Sequence, residues 1–182
     1  MVLLSLEDEH SSRLYFAAIA RQERARISIV FARHIGSDPG SVVEAARREY
    51  DPDSIDEVWC LFDTEGPQHP TRRSQAQAAV SRARDLGFRC ALSNPCFEYW
   101  LLLHFANSTT MYQDCTAVLH DLRRHIDDYD KGDRCFDQLE GGILEAIQRA
   151  RRNFTTRCVD VGVIDCNPST QVYQLMERLL SD

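Results

Sequence analysis

The sequence predicts an α/β fold in which helices flank a mostly parallel, doubly wound sheet and a helical C-terminal half follows. In the first half of the chain, short apolar runs alternate with segments of helical spacing, a pattern typical of parallel sheets. The apolar runs are continuous, as expected for strands that are covered on both faces. The 182 residues fit one domain, with a core over about 1–93 and a helical part over about 94–182.

Four strands and three helices are predicted before residue 93. The apolar runs 2–6, 26–32, 58–62 and 88–92 are the predicted strands. The first helix is predicted from apolar residues at helical spacing from Leu14 onward, and the second from a Ser41–Glu44 capping box. The third is predicted from helical spacing over 76–86, and it ends at Gly87, which is a natural helix stop.

The second half of the chain is predicted to be mainly helical. Asn94 and Asn167, each followed by proline, are interpreted as the N-caps of two helices. Further helices are predicted over 112–126 and 137–154, with Asp137 and Glu140 at the start of the second. The run 158–166 is interpreted as a fifth strand.

Composition excludes several classes of protein. A hydrophobic content of 43% and a charged content of 27% are ordinary for a soluble domain, and the net charge of -7 gives no sign of bulk attraction to nucleic acid. We expect no signal peptide in the opening segment, and the longest apolar run, 99–105, is too short to span a bilayer. The sequence contains neither a Walker A motif nor a G-x-G-x-x-G motif, so it does not predict ATP binding through either of them.

The seven cysteines predict reduced thiols in a cytosolic protein. Their number is odd and no C-x-x-C pair occurs, which argues against a zinc site. The residues concerned are Cys60, Cys90, Cys96, Cys115, Cys135, Cys158 and Cys166.

Carboxylates follow two of the predicted strands at the point where each strand ends. Glu7 and Glu9 follow the first strand, and Asp63 and Glu65 follow the third. The carboxyl ends of parallel strands share one edge of the sheet, and residues two apart in an extended chain share a face. Such a cluster repels itself unless a cation neutralises it or some of its members are protonated, and oxygen ligands suit Mg²⁺ or Mn²⁺. The alternative is that the strand ends are acidic because water surrounds them.

Four ordered motifs carry a resemblance to a known family. The segments "DEVWCLFDTEG", "SNPCFEYWLLLHF", "DYDKGD" and "NPSTQVYQLMERL" resemble the RloB family, whose members have a TOPRIM-like fold. The resemblance runs through almost the whole chain and implies a single domain over 1–182.

The resemblance implies a function and a cellular context. It implies a cytoplasmic Mg²⁺-dependent nuclease that acts as an effector of prokaryotic anti-phage defence by abortive infection. It also implies a nucleic acid substrate, DNA or RNA, and an AAA-type ATPase as partner. The alternative is a catalytically inactive module that binds nucleic acid or docks to the ATPase. Neither a membrane nor an oligomeric state is implied.

The family pattern assigns metal ligands residue by residue. Glu7 matches the glutamate after the first strand, and Asp63 and Glu65 match the later pair of aspartates. Three positions depart from the pattern: Glu65 replaces aspartate, Asp8 stands where glycine is usual, and His10 lies where a basic residue is expected. Glutamate has a longer side chain than aspartate, which alters the geometry around Mg²⁺.

Glu98 and a set of polar residues complete the predicted site. Glu98 lies in an apolar helix, and the resemblance implies a catalytic, supporting role; the alternative is a favourable interaction with the helix dipole. A substrate-binding role is predicted more weakly for residues that could equally be helix caps or surface groups: His10, Arg72, Arg73, Asn94, Asn167, Ser169 and Thr170. His104 is interpreted as a core histidine with satisfied hydrogen bonds.

Overall fold

Five strands form one mixed sheet in the order β2-β1-β3-β4-β5. The structure, a computed structural model, describes residues 1–22, 24–132, 134–160 and 162–181. The first four strands are parallel, and β5 runs antiparallel to β4. This confirms the predicted α/β fold with a mostly parallel sheet. The strands are β1 (Val2–Leu6), β2 (Ile29–Phe31), β3 (Glu57–Asp63), β4 (Arg89–Asn94) and β5 (Ser169–Thr170).

Helices connect and cover the strands. A single helix follows each of the first three strands, as predicted, and most of the second half is helical. The helices are α1 (Ser11–Arg21), α2 (Pro39–Glu49), α3 (Pro70–Asp85), α4 (Glu98–Leu102), α5 (Cys115–Leu122), α6 (Phe136–Leu139), α7 (Ile143–Arg157), α8 (Gly162–Asp165) and α9 (Val172–Leu180), with a 3₁₀ turn at Glu140–Gly142.

The sheet separates two hydrophobic layers, which explains why its central strands are continuously apolar. Leu4 and Leu61 belong to the layer formed with α1, α4, α5, α7 and α9. Leu3 and Phe62 belong to the opposite layer, formed with α2 and α3. Because successive side chains of a strand point to opposite faces, each central strand needs apolar residues at nearly every position.

The predicted capping box at the start of α2 is wrong. Asp38 is the N-cap, its Oδ1 accepts a hydrogen bond from the Ser41 backbone N–H at 3.0 Å, and Pro39 occupies the first helical position. Glu44 instead pairs with Arg47, 2.8 Å away, and with other arginines on the helix surface. Aspartate followed by proline is a strong start signal, and it takes precedence over the later Ser-x-x-Glu pattern.

Both Asn-Pro pairs were wrongly predicted to begin helices. Asn94 is the last residue of β4, and α4 begins only at Glu98. Asn167 and Pro168 precede β5, and α9 begins at Val172. Asn94 and Ser169 are partners in the antiparallel ladder, so strand pairing, which is a non-local interaction, determines the backbone at these positions.

The predicted fifth strand at 158–166 is also wrong. Residues 162–165 form α8, and the fifth strand is the two-residue β5 that follows; Val161 lies outside the described residues. Apolar runs of this length are ambiguous between helix and strand. Here a disulfide joins Cys158 to Cys166, with the two Cα atoms 5.2 Å apart, a separation far too short for the ends of a nine-residue strand.

The helix predicted over 137–154 is interrupted. It begins at Phe136 rather than at a cap formed by Asp137, ends at Leu139, and resumes as α7 at Ile143. A Cβ atom on Gly142 would lie 2.5 Å from the carbonyl oxygen of His104. The close approach of these two backbones therefore requires glycine, and glycine weakens the helix at this point.

The cysteine prediction needs correction. Two disulfides are present, Cys96–Cys115 and Cys158–Cys166. Cys60, Cys90 and Cys135 lie outside them. The sequence could not reveal the pairing because the first pair is separated by 19 residues and meets only in the folded chain.

His104 is a core histidine with satisfied hydrogen bonds, as predicted. Its Nδ1 donates to the Trp100 carbonyl oxygen at 3.0 Å, because a carbonyl can only accept. Its Nε2 therefore accepts a hydrogen bond from the Tyr15 hydroxyl at 3.1 Å. Burial lowers the pKa of His104 from 6.5 to about 4.

His104 should make folding stability depend on pH. The unfolded chain binds a proton at His104 below pH 6.5, whereas the folded chain resists protonation down to about pH 4. As the pH falls from 6.5 to about 4, the free energy of unfolding of the wild type should therefore decrease by about 3 kcal/mol more than that of His104→Gln. Urea unfolding of both proteins at a series of pH values measures the difference, and parallel pH profiles would contradict it.

Candidate functional site

The carboxyl ends of β1 and β3 bring Glu7 and Asp63 side by side. The strands are neighbours in register, with Leu6 opposite Leu61. The Glu7 backbone N–H donates to the Leu61 carbonyl at 3.0 Å, which extends the ladder by one residue. The Asp63 backbone N–H donates to Glu7 Oε2 at 2.8 Å. The first two residues of the predicted site are therefore adjacent, as the parallel arrangement predicts.

Arg72 fixes the Glu7 side chain in place. It projects from α3 and is 8% exposed. Its guanidinium forms an ion pair with Glu7 and donates to the carbonyl oxygens of Asp63 and Ser37, each at 3.0 Å. Because this side chain joins three segments, Arg72 belongs to the framework of the site, and a substrate has little access to it.

The surroundings of Asp63 disfavour its ionised form. Burial, followed by the nearby carboxylates of Glu7 and Glu98, raises its pKa well above the usual 3.8, while Lys131 opposes the shift. Burial also raises the pKa of Glu7, against the effects of the Asp63 N–H and of Arg72. A divalent cation would relieve this cost, since a positive charge favours the ionised carboxylates.

Glu65 lies apart from these two carboxylates. Its backbone φ is 62° and the next residue, Gly66, has φ 86°, so the chain turns here and is not extended as the i, i+2 argument assumed. The Glu65 side chain is 45% exposed and lies 3.6 Å from His69 Nδ1 and 3.7 Å from Arg72 Nε. The Glu65 side chain therefore lies at the exposed edge of the site that Glu7 and Asp63 form.

A buried hydrogen-bond network surrounds Glu98. Glu98 is the first residue of α4 and has no solvent exposure. Ser11 Oγ donates to Glu98 Oε1 at 2.7 Å, and the Tyr129 hydroxyl donates to Ser11 Oγ at 3.1 Å. Lys131 Nζ lies 3.3 Å from the same Glu98 oxygen. These contacts provide the partners that a buried carboxylate requires.

Lys131 is the functional candidate that sequence reasoning missed. It lies in the "DYDKGD" motif; Asp133 of that motif is outside the described residues. Partial burial alone would lower its pKa, but the carboxylates of Glu98, Asp63 and Asp8 raise it above 10.5. The available signal was that it is the only lysine in a chain whose other basic side chains are arginines.

Several of the residues at the strand ends, together with Lys131, line one cleft of about 400 Å³, within the size range of small-ligand sites. Acidic side chains, one cation and a disulfide face it together, and the residues concerned are Glu7, Asp63, Glu65, Lys131, Cys96 and Cys115.

The residues predicted to bind substrate are mostly engaged within the protein. His10 is exposed beside the site, and Asp8, which lines the cleft, accepts hydrogen bonds from the backbone N–H groups of His10 and Ser12. Arg73 pairs with Asp165 of α8. Internal hydrogen bonds hold the side chains of the other four, which are Asn94, Asn167, Ser169 and Thr170. As these four do not begin helices, the argument for phosphate binding at helix N-termini does not apply to them.

The donor set of the acidic site fits a hard divalent cation, although its ligands are not gathered in advance. Glu7, Asp63 and Glu65 offer only oxygen, which suits Mg²⁺ or Mn²⁺. Within the described ranges, one group of three metal-ligating side chains places its ligand atoms within 4.8 Å of one another, and it is Cys96, Glu98 and Cys115. The acidic side chains must therefore rotate to share one ion.

Fold and site together define an α/β protein with an acidic cleft at the carboxyl edge of a mostly parallel sheet. The chain belongs to the RloB-like protein family, whose model matches residues 2–179. Comparisons with curated proteins and with solved structures gave no match. In the part of the chain that the structure describes, no helix combines the length and the apolar character needed to cross a bilayer.

Replacing Arg72 should destabilise the protein more than replacing its neighbour. Arg72→Met leaves the Glu7 carboxylate without its cation in a largely buried position, which should cost about 3 kcal/mol of unfolding free energy. Arg73→Met removes an exposed pair and should cost less than about 1 kcal/mol. Urea unfolding of both variants makes the comparison, and equal losses would show that Arg72 is not part of the framework.

Metal affinity should increase with pH. Because the pKa values of Asp63 and Glu7 are raised, protons compete with a metal ion above the usual carboxyl range. The apparent affinity for Mn²⁺ should rise by up to about tenfold per pH unit for each proton displaced. Calorimetric titration from mildly acidic to neutral pH, in buffers of different ionisation enthalpy, also counts the protons released. An affinity that does not change with pH would refute the expectation.

Proposed function

We propose that this RloB-like protein is a metal-dependent nuclease of the TOPRIM type that hydrolyses phosphodiester bonds. The observation that carries the proposal is the juxtaposition of Glu7 and Asp63 at adjacent strand ends, facing a cleft that Lys131 also lines. Excess negative charge beside a fixed cation is suited to a metal ion together with a phosphate group. The substrate would be DNA or RNA.

Glu7 and Asp63 would hold Mg²⁺ or Mn²⁺, and Glu65 would contribute from the rim. When bound, such an ion polarises a phosphate and lowers the pKa of a bound water. Arg72 keeps Glu7 at the strand end through their ion pair. These roles explain why the strand that ends at Asp63 leads directly into carboxylates.

Lys131 would orient the substrate. Its side chain is 40% exposed and lines the cleft, so its ammonium group can contact a phosphate oxygen there while it remains paired with Glu98. Ser11 donates to Glu98 in turn, and Tyr129 donates to Ser11, so the partner of the Lys131 ammonium is itself held in place. Positioning of this kind accounts for much of the catalysis of phosphate-transfer reactions.

The cellular role follows from the family resemblance. We propose a cytoplasmic effector of prokaryotic anti-phage defence that acts by abortive infection, with an AAA-type ATPase as partner. The chain has no Walker A motif, so in this proposal nucleotide hydrolysis belongs to the partner.

A second candidate is a module that binds nucleic acid or docks to the ATPase without catalysis. It is favoured by the engagement of Glu7 with Arg72 and with the Asp63 N–H, and by the turn that separates Glu65 from Asp63. In this case the acidic cleft would be a remnant of a catalytic site.

A nuclease assay distinguishes the two functions. The purified protein should cleave one member of a panel of tRNA, single-stranded RNA, and single- and double-stranded DNA when Mg²⁺ or Mn²⁺ is present. Asp63→Asn should reduce the rate at least about a hundredfold because it removes a metal ligand. Asp85→Asn is the matched control, since Asp85 is exposed at the end of α3, and it should retain full activity.

Cleavage that EDTA and Asp63→Asn both abolish would establish the enzyme and name its substrate. Absence of cleavage for every substrate, with a candidate AAA-type ATPase also added, would reject the nuclease in favour of the binding module.

A further inference from the structure

A second cluster of metal-ligating side chains lies in the wall of the same cleft and is chemically distinct from the acidic site. Cys96, Glu98 and Cys115 each place one ligand atom within 4.8 Å of the others. A disulfide joins the two cysteines, whose Cα atoms are 5.6 Å apart. The three residues come from the segment after β4 and from the start of α5, which are distant in sequence and adjacent in the fold.

One carboxylate oxygen of Glu98 faces a disulfide sulfur that cannot donate a hydrogen bond to it. Ser11 and Lys131 contact Glu98 Oε1. Cys115 Sγ lies 3.2 Å from Glu98 Oε2, and a disulfide sulfur has no proton to donate to a carboxylate. A thiol or a metal ion at the same place would satisfy this oxygen, so the carboxylate is better matched to the reduced state of the pair.

We propose that reduction of the Cys96–Cys115 disulfide creates a binding site for a soft divalent ion such as Zn²⁺, ligated by two thiolates and the Glu98 carboxylate. Sulfur ligands select Zn²⁺ over Mg²⁺. Two sulfurs bound to one tetrahedral zinc at about 2.3 Å lie about 3.8 Å apart. Rotation of two side chains with closely spaced Cα atoms provides this separation, and water would complete the coordination.

An external dithiol or phosphine supplies the two electrons that reduce the Cys96–Cys115 disulfide. Two electrons and two protons convert the disulfide to two thiols while the dithiol becomes a disulfide, or the phosphine takes up oxygen from water to become its oxide. Zinc binding then releases the two thiol protons. Cys115 is partly exposed on the cleft whereas Cys96 is 2% exposed, so a reductant attacks Cys115 Sγ and Cys96 departs as the thiolate. A small-molecule disulfide oxidant reverses the process by thiol–disulfide exchange: it takes up the two electrons and is itself reduced to two thiols, and the ion is expelled.

The other disulfide provides an internal comparison. Cys158 and Cys166 belong to no ligand cluster among the described residues, so reducing them should create no such site. The proposal rests on the cysteine cluster and does not depend on nuclease activity. If the zinc site and the nuclease activity both exist, an ion bound to Glu98 would compete with Lys131 for this carboxylate. The Lys131 ammonium in the cleft would then lose its ion-pair partner.

The test is a metal titration of the full chain in its oxidised and reduced forms. The reduced form is prepared with a phosphine that is then removed without oxygen, and Zn²⁺ is counted by competition with a chromophoric chelator. Co²⁺ serves as a second probe because thiolate ligation gives it a sulfur-to-metal charge-transfer band. Reduced wild type should bind one more Zn²⁺ per chain than oxidised wild type and should show the band.

Variants assign the site. Cys96→Ser with Cys115→Ser should lose both the extra Zn²⁺ and the band, whereas Cys158→Ser with Cys166→Ser should keep both. Glu98→Gln retains every thiol and should weaken Zn²⁺ binding at least about tenfold. Asp63→Asn should leave binding intact, which separates this site from the acidic one.

Three results would overturn the proposal. The first is equal Zn²⁺ binding by oxidised and reduced wild type, a comparison that needs no variant to fold. The second is loss of the extra Zn²⁺ in the Cys158→Ser, Cys166→Ser protein. The third is a band that persists without Cys96 and Cys115, which would assign the ion to the other cysteines, including the reduced Cys158 and Cys166.

Discussion

The parallel pairing of β1 with β3 is the constraint on which the site depends. It places Glu7 and Asp63 at one edge of the sheet, where the Asp63 N–H and Arg72 hold the Glu7 carboxylate. Two adjacent carboxylates that are partly withdrawn from water repel each other, so a nearby cation or protonation of one carboxyl group stabilises this edge. Arg72 supplies one positive charge from within the framework, and the remaining excess of acidic groups is the physical basis of the metal site that we propose.

Glu98 connects this acidic edge to the second half of the chain. Its carboxylate touches Lys131 on one oxygen and Cys115 on the other. The charge that Lys131 presents to the cleft and the oxidation state of the cysteine pair are therefore linked through one buried group. Disulfides are rare in cytosolic proteins, and those that occur there are usually transient or redox-sensing, which is the behaviour that the proposal assigns to this pair.

Much of the sheet could be predicted because its signals are local. Apolar runs identified the first four strands, and the adjacency of Glu7 and Asp63 followed from parallel strand ends. Errors arose where contacts distant in sequence determined the backbone. Asn94 pairs with Ser169 of β5 and so does not begin a helix, and Gly142 approaches the backbone of His104 and interrupts a helix that periodicity alone would continue.

The sequence by itself determined the fold class, the family, and the edge of the sheet that carries the acids, since hydrophobic periodicity and ordered motifs are properties of the chain. Only the tertiary structure decided which groups share the cleft. The turn at Glu65, the arrival of Lys131 and the pairing of Cys96 with Cys115 depend on how α3, α4 and α5 pack around the sheet. Side chains far apart along the chain meet only when burial of the two hydrophobic layers brings their helices together.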